Sequence, residues 1–588
     1  MMEIQAANRS PILGHVLVAG EATGDILYST TGLSVWGGID PTSGIVIDHH
    51  HPLVGKCVTG CILAIPGGRG SCTGSAVLLE LILNGRAPAG IVVCEAEEVI
   101  SLGALVGELV FETPMPVLRI NRDDFGRLAT WQRARIATRW LHRADNEPAG
   151  DDVAGDHLAD SFAAPCPSVG AQVQLQLEPG DEEMLAGGHG KACEVAMRLL
   201  IKMAELQGAE RLTDVTQAHI DGCIYTGPAG LRFAQMLVAL GGRVRVPTTL
   251  NSISVDRRRW RDLGVDPEFG EPASALADAY LALGAQPSFT CAPYLLESAP
   301  MFGEQIGWGE SNAVVYANSV LGARTLKYPD FLDACVALTG RAPLSGSHLD
   351  DGRRATLAID VTFPAGADDA FWPVLGYGCG TICGKEIPLI RGLESSDAGQ
   401  DELKAFGAAF ATSAAAPMFH IAGITPEANG QAPGRAVSFS LSDLATTWES
   451  LDTAGDAAIE LVSLGNPHFS LSEFARLAGL VRGRMRSPGV SVVVTCGRAV
   501  QLAARDAGYI AEIERFGATI MTDTCWCMIG EPMVPPAART LMTNSGKYAH
   551  YAPGLVGRAV RFGGLAACVE AACSGFSRRA RPGWLGCA

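Results

Sequence analysis

From about Leu175 onward, short apolar runs alternate with segments whose apolar residues recur at helical spacing. The strand-like runs are TQAHIDGCIY, RVRVPTTLNS, AIELVSLGN, VSVVVTC and TIMTDTCW, and the helical ones include LRFAQMLVALG, ASALADAYLALG, YPDFLDACVALTG and LAARDAGYIAEIERFG. Such alternation predicts βαβ units and a mostly parallel sheet. Ahead of them, EEMLAGGHGKACEVAMRLLIKMAELQGA is predicted as one amphipathic helix. Before about residue 140 the pattern is different. HVLVAGEATGDILYS, SGIVIDHHHPLVG, KCVTGCILAIP and AGIVVC read as short strands separated by Gly, Asp and Pro, with few helices. Between the two regions, DNEPAGDDVAGDHLADSFAAPCPSVG is acidic, rich in Ala, Pro and Ser, and without apolar period. The expected organisation is therefore a small β-rich domain over 1–144, a linker over 145–180 and a large α/β domain over 181–588.

Composition supports this division and narrows the partners. A chain of 588 residues is too long for one ordinary core. A hydrophobic content of 48% fits a compact globular enzyme. The formal charge of −17 argues against a nucleic acid, which requires a basic face. MMEIQAANRSPILGHVL lacks a basic segment followed by an apolar one, and AGIVVCEAEEVISLGALVGELVF is interrupted by carboxylates. A cytoplasmic protein without membrane contact, monomeric or a small homo-oligomer, is expected. The 17 cysteines stand mostly singly in apolar segments, so most are read as buried small hydrophobes and a few as holders of a metal or cluster.

Ligands of parallel sheets gather at the carboxyl ends of the strands. Polar clusters stand there in Thr248 to Ser252, Asn466 to His468, and Asp523 to Cys525. Thr249, Asn251 and Ser252, with His219 of QAHIDG, are the candidate substrate contacts of the large domain. In the small domain, GGRGSCTGS joins an apolar run to the helical AVLLELILNG. Its glycines expose successive N–H groups, and a helix starting after Thr73 adds its positive end. The turn would hold a substrate carboxylate through Arg69, Gly70, Cys72 and Thr73, and would favour the alkoxide of Ser71. It lacks the lysine of a phosphate-binding loop and is not a G-x-S-x-G elbow. The alternative is a glycine-rich connection with no ligand.

Other polar residues have blander readings. Cys379 and Cys383 are taken as structural, and His49, His50 and His51 as a loop contact between domains. Lys547 is either solvated or set against a carboxylate, and Glu310 and Asn318 either bond within the protein or touch substrate.

IDHHHPL, GGRGSCTGSAVLLELILNGRAP, QAHIDG, GESNAVVYANSVLGART, GNPHFS, TDTCW and TNSGKYAHYAP together resemble the aconitase X family over nearly the whole chain. The resemblance implies an aconitase-like fold, with a small swivelling domain joined to a large one, and a hydro-lyase activity. Both domains in one chain resemble the bacterial type, which dehydrates cis-3-hydroxy-L-proline to Δ1-pyrroline-2-carboxylate. The separate-subunit archaeal type instead acts on mevalonate 5-phosphate, and a non-catalytic iron-dependent sensor is a third reading. An intact SCTGS turn speaks against the sensor. The family carries an iron–sulfur cluster, and its expected base is the serine of SCTGS, here Ser71. Cys291 and Cys525 match cysteine positions of the family, whereas a further family position, before Pro-His, is Asn466 here. Cys527 is the candidate to complete the site, with a 2Fe-2S cluster expected rather than 4Fe-4S. The implied reaction is an anti elimination with Ser71 as base and the cluster as Lewis acid.

Overall fold

The computed structural model describes residues 10–48, 51–69, 72–145, 175–455 and 457–586. Its N-terminal part is built on one mixed sheet. The strands are β1 (Ile12–Leu13), β2 (His15–Val18), β3 (Glu21–Tyr28), β4 (Ile62–Ala64), β5 (Gly90–Val93), β6 (Val117–Arg119), β7 (Arg133–Ala137) and β8 (Trp140–Arg143). Their order is β1-β8-β7-β3-β4-β5-β6-β2, with β3 to β6 parallel to one another. Strands alternate their side chains between faces. Leu63, Ile91 and Val93 therefore point to one core, while Ile62, Ala64 and Val92 pack on Phe125, Trp131 and Leu141 in another.

Helices α1 (Gly74–Leu83) and α2 (Val99–Phe111) cover the first face. Their apolar residues share one continuous core with Phe233 and Leu237 of α3 (Pro228–Ala239), in the large region. The N-cap of α3 is Gly227, which has no side chain to accept the first free N–H groups. Glu80 of α1 supplies the acceptor instead, taking the Ala229 N–H at 2.7 Å. The small domain thus caps a helix of its neighbour.

The large region contains three parallel sheets. The first joins β10 (Ala218–Ile220), β11 (Thr248–Leu250) and β12 (Gly307–Trp308), beside an antiparallel pair of β9 (Leu212–Asp214) and β13 (Arg341–Pro343). The second contains β14 (Leu357–Val361), β15 (Pro388–Arg391), β16 (His420–Ile421) and β17 (Arg435–Phe439). After β18 (Ala457–Ala458) comes the third: β19 (Leu461–Leu464), β20 (Ser491–Thr495), β21 (Thr519–Met521), β22 (Thr540–Thr543) and β23 (Ala559–Phe562). A final strand, β24 (Phe576–Ser577), pairs with β18. A parallel bridge between Ile253 and Thr524 ties the exit of the first sheet to the exit of the third. The carboxyl ends of two sheets are thereby brought face to face.

Three local expectations change. Of the segment 43–55, the described residues 43–48 and 51–55 form turns and isolated bridges rather than a strand, because Asp40 collects Thr42 and Ser43 into a loop. The helix expected over 182–209 is two, Pro179–Leu185 and Lys191–Leu206, interrupted where Gly187 and Gly190 adopt φ of +84° and +92°. Gly508, at φ +80°, likewise separates Arg498–Asp506 from Tyr509–Phe516. Most of the expected linker, 146–174, lies outside the described residues. Its end already belongs to the large region, since Gln176 bridges Arg211 and Pro179 opens a helix. Among the described residues, no helix is long and apolar enough to cross a membrane.

Candidate active site

The chain leaving β21 turns at once: the Met528 N–H bonds the Cys525 carbonyl at 2.9 Å. That turn brings Cys525 and Cys527 to one place, and Cys291, from the loop after the first sheet, joins them. Cys525 is held well below the usual thiol range by hydrogen bonds from Cys291 and Cys527, with Ser252 a further donor. Burial pushes the Cys291 thiol up, and the shared bond to Cys525 does the same to Cys527. The Cys291 sulfur accepts the His468 N–H at 3.3 Å, and the Cys527 sulfur accepts the Asn466 amide at 3.3 Å. Among the described residues, no three His, Cys, Asp or Glu side chains are spread around a preformed ion position. These thiols instead lie within reach of one another.

Asn466 follows Gly465, whose φ of +92° and close approach to the Thr495 carbonyl exclude any side chain there. His468 is fixed from both ring nitrogens, by Thr290 at 3.1 Å and the Thr524 carbonyl at 2.8 Å. Burial lowers its pKa, which keeps the imidazole neutral.

Beside the thiols, four buried carboxylates converge from strand ends and the loop before Leu332–Thr339. Asp221 follows β10 and accepts the Asn251 amide, from beyond β11. Asp333 accepts the N–H groups of Asp221, Gly222 and Ala334, and burial still lifts its carboxyl to about 6. Glu310, after β12, pairs with Lys547 at 2.8 Å. Burial works against the Lys547 charge, but Glu310 and the Cys527 and Cys291 sulfurs hold its pKa well above the ordinary value. Lys547 begins the helix α4 (Gly546–Val556), which leaves β22. Asp330 is fully buried, and burial followed by the nearby Asp221 charge raises its carboxyl far up.

The glycine-rich turn lies over this acidic group. Gly70 and Ser71 are outside the described residues. On one side of them Arg69, half exposed, pairs with Asp48 at 2.6 Å. On the other, Cys72 is buried, its carbonyl taking the Asp330 N–H at 3.3 Å. Burial and the charges of Asp221 and Asp330 raise the Cys72 thiol. Thr73 caps α1 without a side-chain bond to the helix, and Ser75 donates to the carbonyls of Cys72 and Asp330. A cleft of about 680 Å³ opens between the small domain and the large region, lined by Arg69, Asp48, Lys385, Tyr377, His550 and Tyr551. Tyr551 connects the cleft to the interior, within electrostatic range of Lys547, Cys527 and Glu310.

The expected site residues divide accordingly. Cys291, Cys525, Cys527, Ser252 and Asn251 come together, and Cys72 and Thr73 face the carboxylates. His219 and Thr249 bond each other at 2.8 Å in the core, the imidazole against Trp308 and driven down to about 3 by burial. Cys379 and Cys383 are buried on one helix, and Asn318 bonds the Thr325 and Pro417 carbonyls. Of the histidine run only His51 is described; it bonds the Thr31 carbonyl within the small domain rather than the large one. Asp221, Asp330 and Asp333 escaped the sequence reading. The available signal was the strand-end rule applied to IDG, and the acidic pair in YPDFLD ahead of a helix.

Family models match the chain in four consecutive pieces: an aconitase X swivel domain over 11–141, a first domain over 174–351, a second over 355–449 and a third over 459–574. Cis-3-hydroxy-L-proline dehydratase of Pseudomonas aeruginosa is 55% identical over 581 residues, 98% of both chains. The enzyme of that name from Hypocrea jecorina is 49% identical, covering 97% of each chain. The holo-form crystal structure of Thermococcus kodakaraensis aconitase X is 32% identical with a TM-score of 0.62, over 68% of this chain and all of that one.

Proposed function

The chain belongs to the aconitase X family and is a hydro-lyase, and we propose that it dehydrates cis-3-hydroxy-L-proline to Δ1-pyrroline-2-carboxylate. The observation that carries the substrate is the identity of 55% and 49%, end to end, to enzymes named for that reaction. The site supports it. A phosphorylated substrate would need unpaired cations, yet Arg69 pairs with Asp48, and Arg122 and Lys385 both pair with Glu95. The proposal takes the enzyme as cytoplasmic, a monomer or small homo-oligomer, acting on a free amino acid.

In this substrate the hydroxyl and carboxylate share a ring face, so the C2 hydrogen and the C3 hydroxyl lie on opposite faces. Ser71 is the proposed base for the C2 proton. Anti loss of the C3 hydroxyl as water leaves a C2=C3 enamine, which becomes the imine when its nitrogen proton moves to C3. A serine is too weak a base without help. The amide nest and the start of α1 would stabilise its anion, and the same groups would orient the substrate carboxylate. The swivel carries this turn across the cleft, which excludes water from the centre when closed.

An iron–sulfur cluster fits Cys291, Cys525 and Cys527, because two buried thiols and a half-buried third, with the pKa of one drawn down by the other two, are a soft donor set. We take it as 2Fe-2S, with Asn466 bonding Cys527 where a further family thiol would stand. When bound, it supplies a Lewis acid for departure of the hydroxyl. Imine formation by anaerobically purified protein, across a panel of hydroxyproline isomers, tests the reading. Turnover of the cis-3-L isomer alone is expected; a preference for a hydroxy acid without nitrogen would overturn it.

A further inference from the structure

Among the described residues, each acidic side chain of the buried centre completes a hydrogen bond except one. Glu310 has Lys547, Asp333 has backbone N–H groups, and Asp221 has the Asn251 amide. Asp330 is 0% exposed, and neither of its carboxylate oxygens closes a hydrogen bond. Thr73 and Asp221 approach it closely enough to bear on its charge, Thr73 as a donor that lowers its pKa and Asp221 as a neighbour that raises it. Of the other nearby amines, Lys327 donates to the Ala414 carbonyl and Lys404 to Glu473. A buried carboxylate without donors is costly, so such a group in a working site awaits a cation.

Resting on the hydroxyproline reading, we infer that Asp330, with Asp221 beside it, receives the ring ammonium of the substrate and so selects a cyclic amino acid over a nitrogen-free acid of the same shape. A secondary ammonium has two N–H donors, which suits two adjacent carboxylates. The position is consistent with the chemistry. Asp330 is tied to Cys72, next to Ser71, by its own N–H, and the ring nitrogen is bonded to the C2 that loses its proton. Keeping that nitrogen charged makes the C2 hydrogen more acidic than a neutral amine would. The raised carboxyl of Asp330 is the state of the empty site, and a bound cation would draw its proton off.

Calorimetric titration of the holoenzyme with L-proline and with cyclopentanecarboxylate tests this, alongside turnover of cis-3-hydroxy-L-proline. L-proline should bind wild type at least about tenfold more tightly than the carbocycle. Asp330→Asn should weaken L-proline by about 10- to 100-fold, the worth of charged hydrogen bonds, and leave cyclopentanecarboxylate within about threefold. Equal weakening of both ligands would mean a structural role and overturn the inference. If the variant does not fold, the wild-type preference decides alone, and equal binding of the two ligands refutes it. An enzyme that dehydrates hydroxyproline without this preference sinks only the inference. One that dehydrates no hydroxyproline sinks the substrate reading, and the inference with it.

Discussion

Cys291, Cys525 and Cys527 occupy one end of the buried centre; Asp221, Asp330 and Asp333 occupy the other. Both triplets are largely buried, and both join a close pair to a residue from a distant part of the chain. Their burial is handled differently. A thiol is neutral at ordinary pH, so three can be gathered together at modest cost, and hydrogen bonds from the other two draw the Cys525 pKa down. A carboxylate is charged, so burial requires a donor for each oxygen or a raised pKa. Asp333 meets this with backbone N–H groups and still rises to about 6. Asp330, with no hydrogen bond completed at either oxygen, meets it through a raised pKa alone. The thiol end is therefore assembled in advance, whereas the carboxylate end is left incomplete for a ligand to finish.

The largest expected effect comes from separating the two ends. Cys525→Ala removes the thiol on which the other two converge. Iron and inorganic sulfide should be lost, and turnover should fall by about 10³ or more, since Lewis-acid assistance is worth several kcal/mol. L-proline binding should survive, because the carboxylate end is untouched. Retained iron would show that the thiols are not the cluster site. Lost proline binding would show that the two ends are not independent.

Ser71→Ala comes next, and acts between the ends. Turnover should drop about 10² to 10⁴, while iron content and L-proline affinity stay near wild type, because the hydroxyl is used mainly in the transition state. Loss of C2 proton exchange with deuterated solvent is the accompanying readout. A variant within threefold of wild type would move the base into the large region.

The contrast also explains what the sequence revealed. Cysteine is scarce and chemically specific, so Cys291 and the Cys525–Cys527 pair stand out, and the turn at Cys525 to Met528 lets that pair share a site. Aspartate is common and usually solvated. Asp221 and Asp330 are far apart in the chain and stand among mostly apolar neighbours, and their convergence follows from the end of β10 and the docking of Cys72 on Asp330. The parallel sheets were legible because long-period alternation survives local irregularity. The helix breaks at Gly187 to Gly190 and at Gly508 were not, because apolar spacing continues across them. His219 and Thr249 show the converse error: strand-end position alone does not say which face a side chain takes, and these two take the core.

The smallest expected effect concerns Glu97, a buried carboxylate that no ligand completes, and it tests whether donors alone can settle such a group. Glu97 accepts the Ser101 N–H at 3.0 Å at the start of α2, and its carboxylate stands against Gly68, where an added Cβ would lie 2.6 Å from Oε1. Burial nevertheless lifts its pKa to about 7, against 4.5 for an ordinary glutamate. Between those values the folded protein keeps a proton that the unfolded chain has released. Folding then takes up a proton, so stability falls as pH rises through that window and is level on either side of it. Glu97→Gln keeps the shape and the acceptor for Ser101 but carries no charge at any pH. The variant should match wild type near pH 4 and exceed it near pH 8 by about 1–3 kcal/mol, the whole shift converted at 1.36 kcal/mol per unit setting a ceiling of about 3.4 kcal/mol. Urea unfolding midpoints at the two pH values measure the difference of slopes. Parallel slopes for the two proteins would mean that Glu97 stays ionised, and that helix N–H donors can hold a buried carboxylate without a ligand. That outcome would sharpen the distinction drawn for Asp330, since the lack of donors there would then be the whole of its difference.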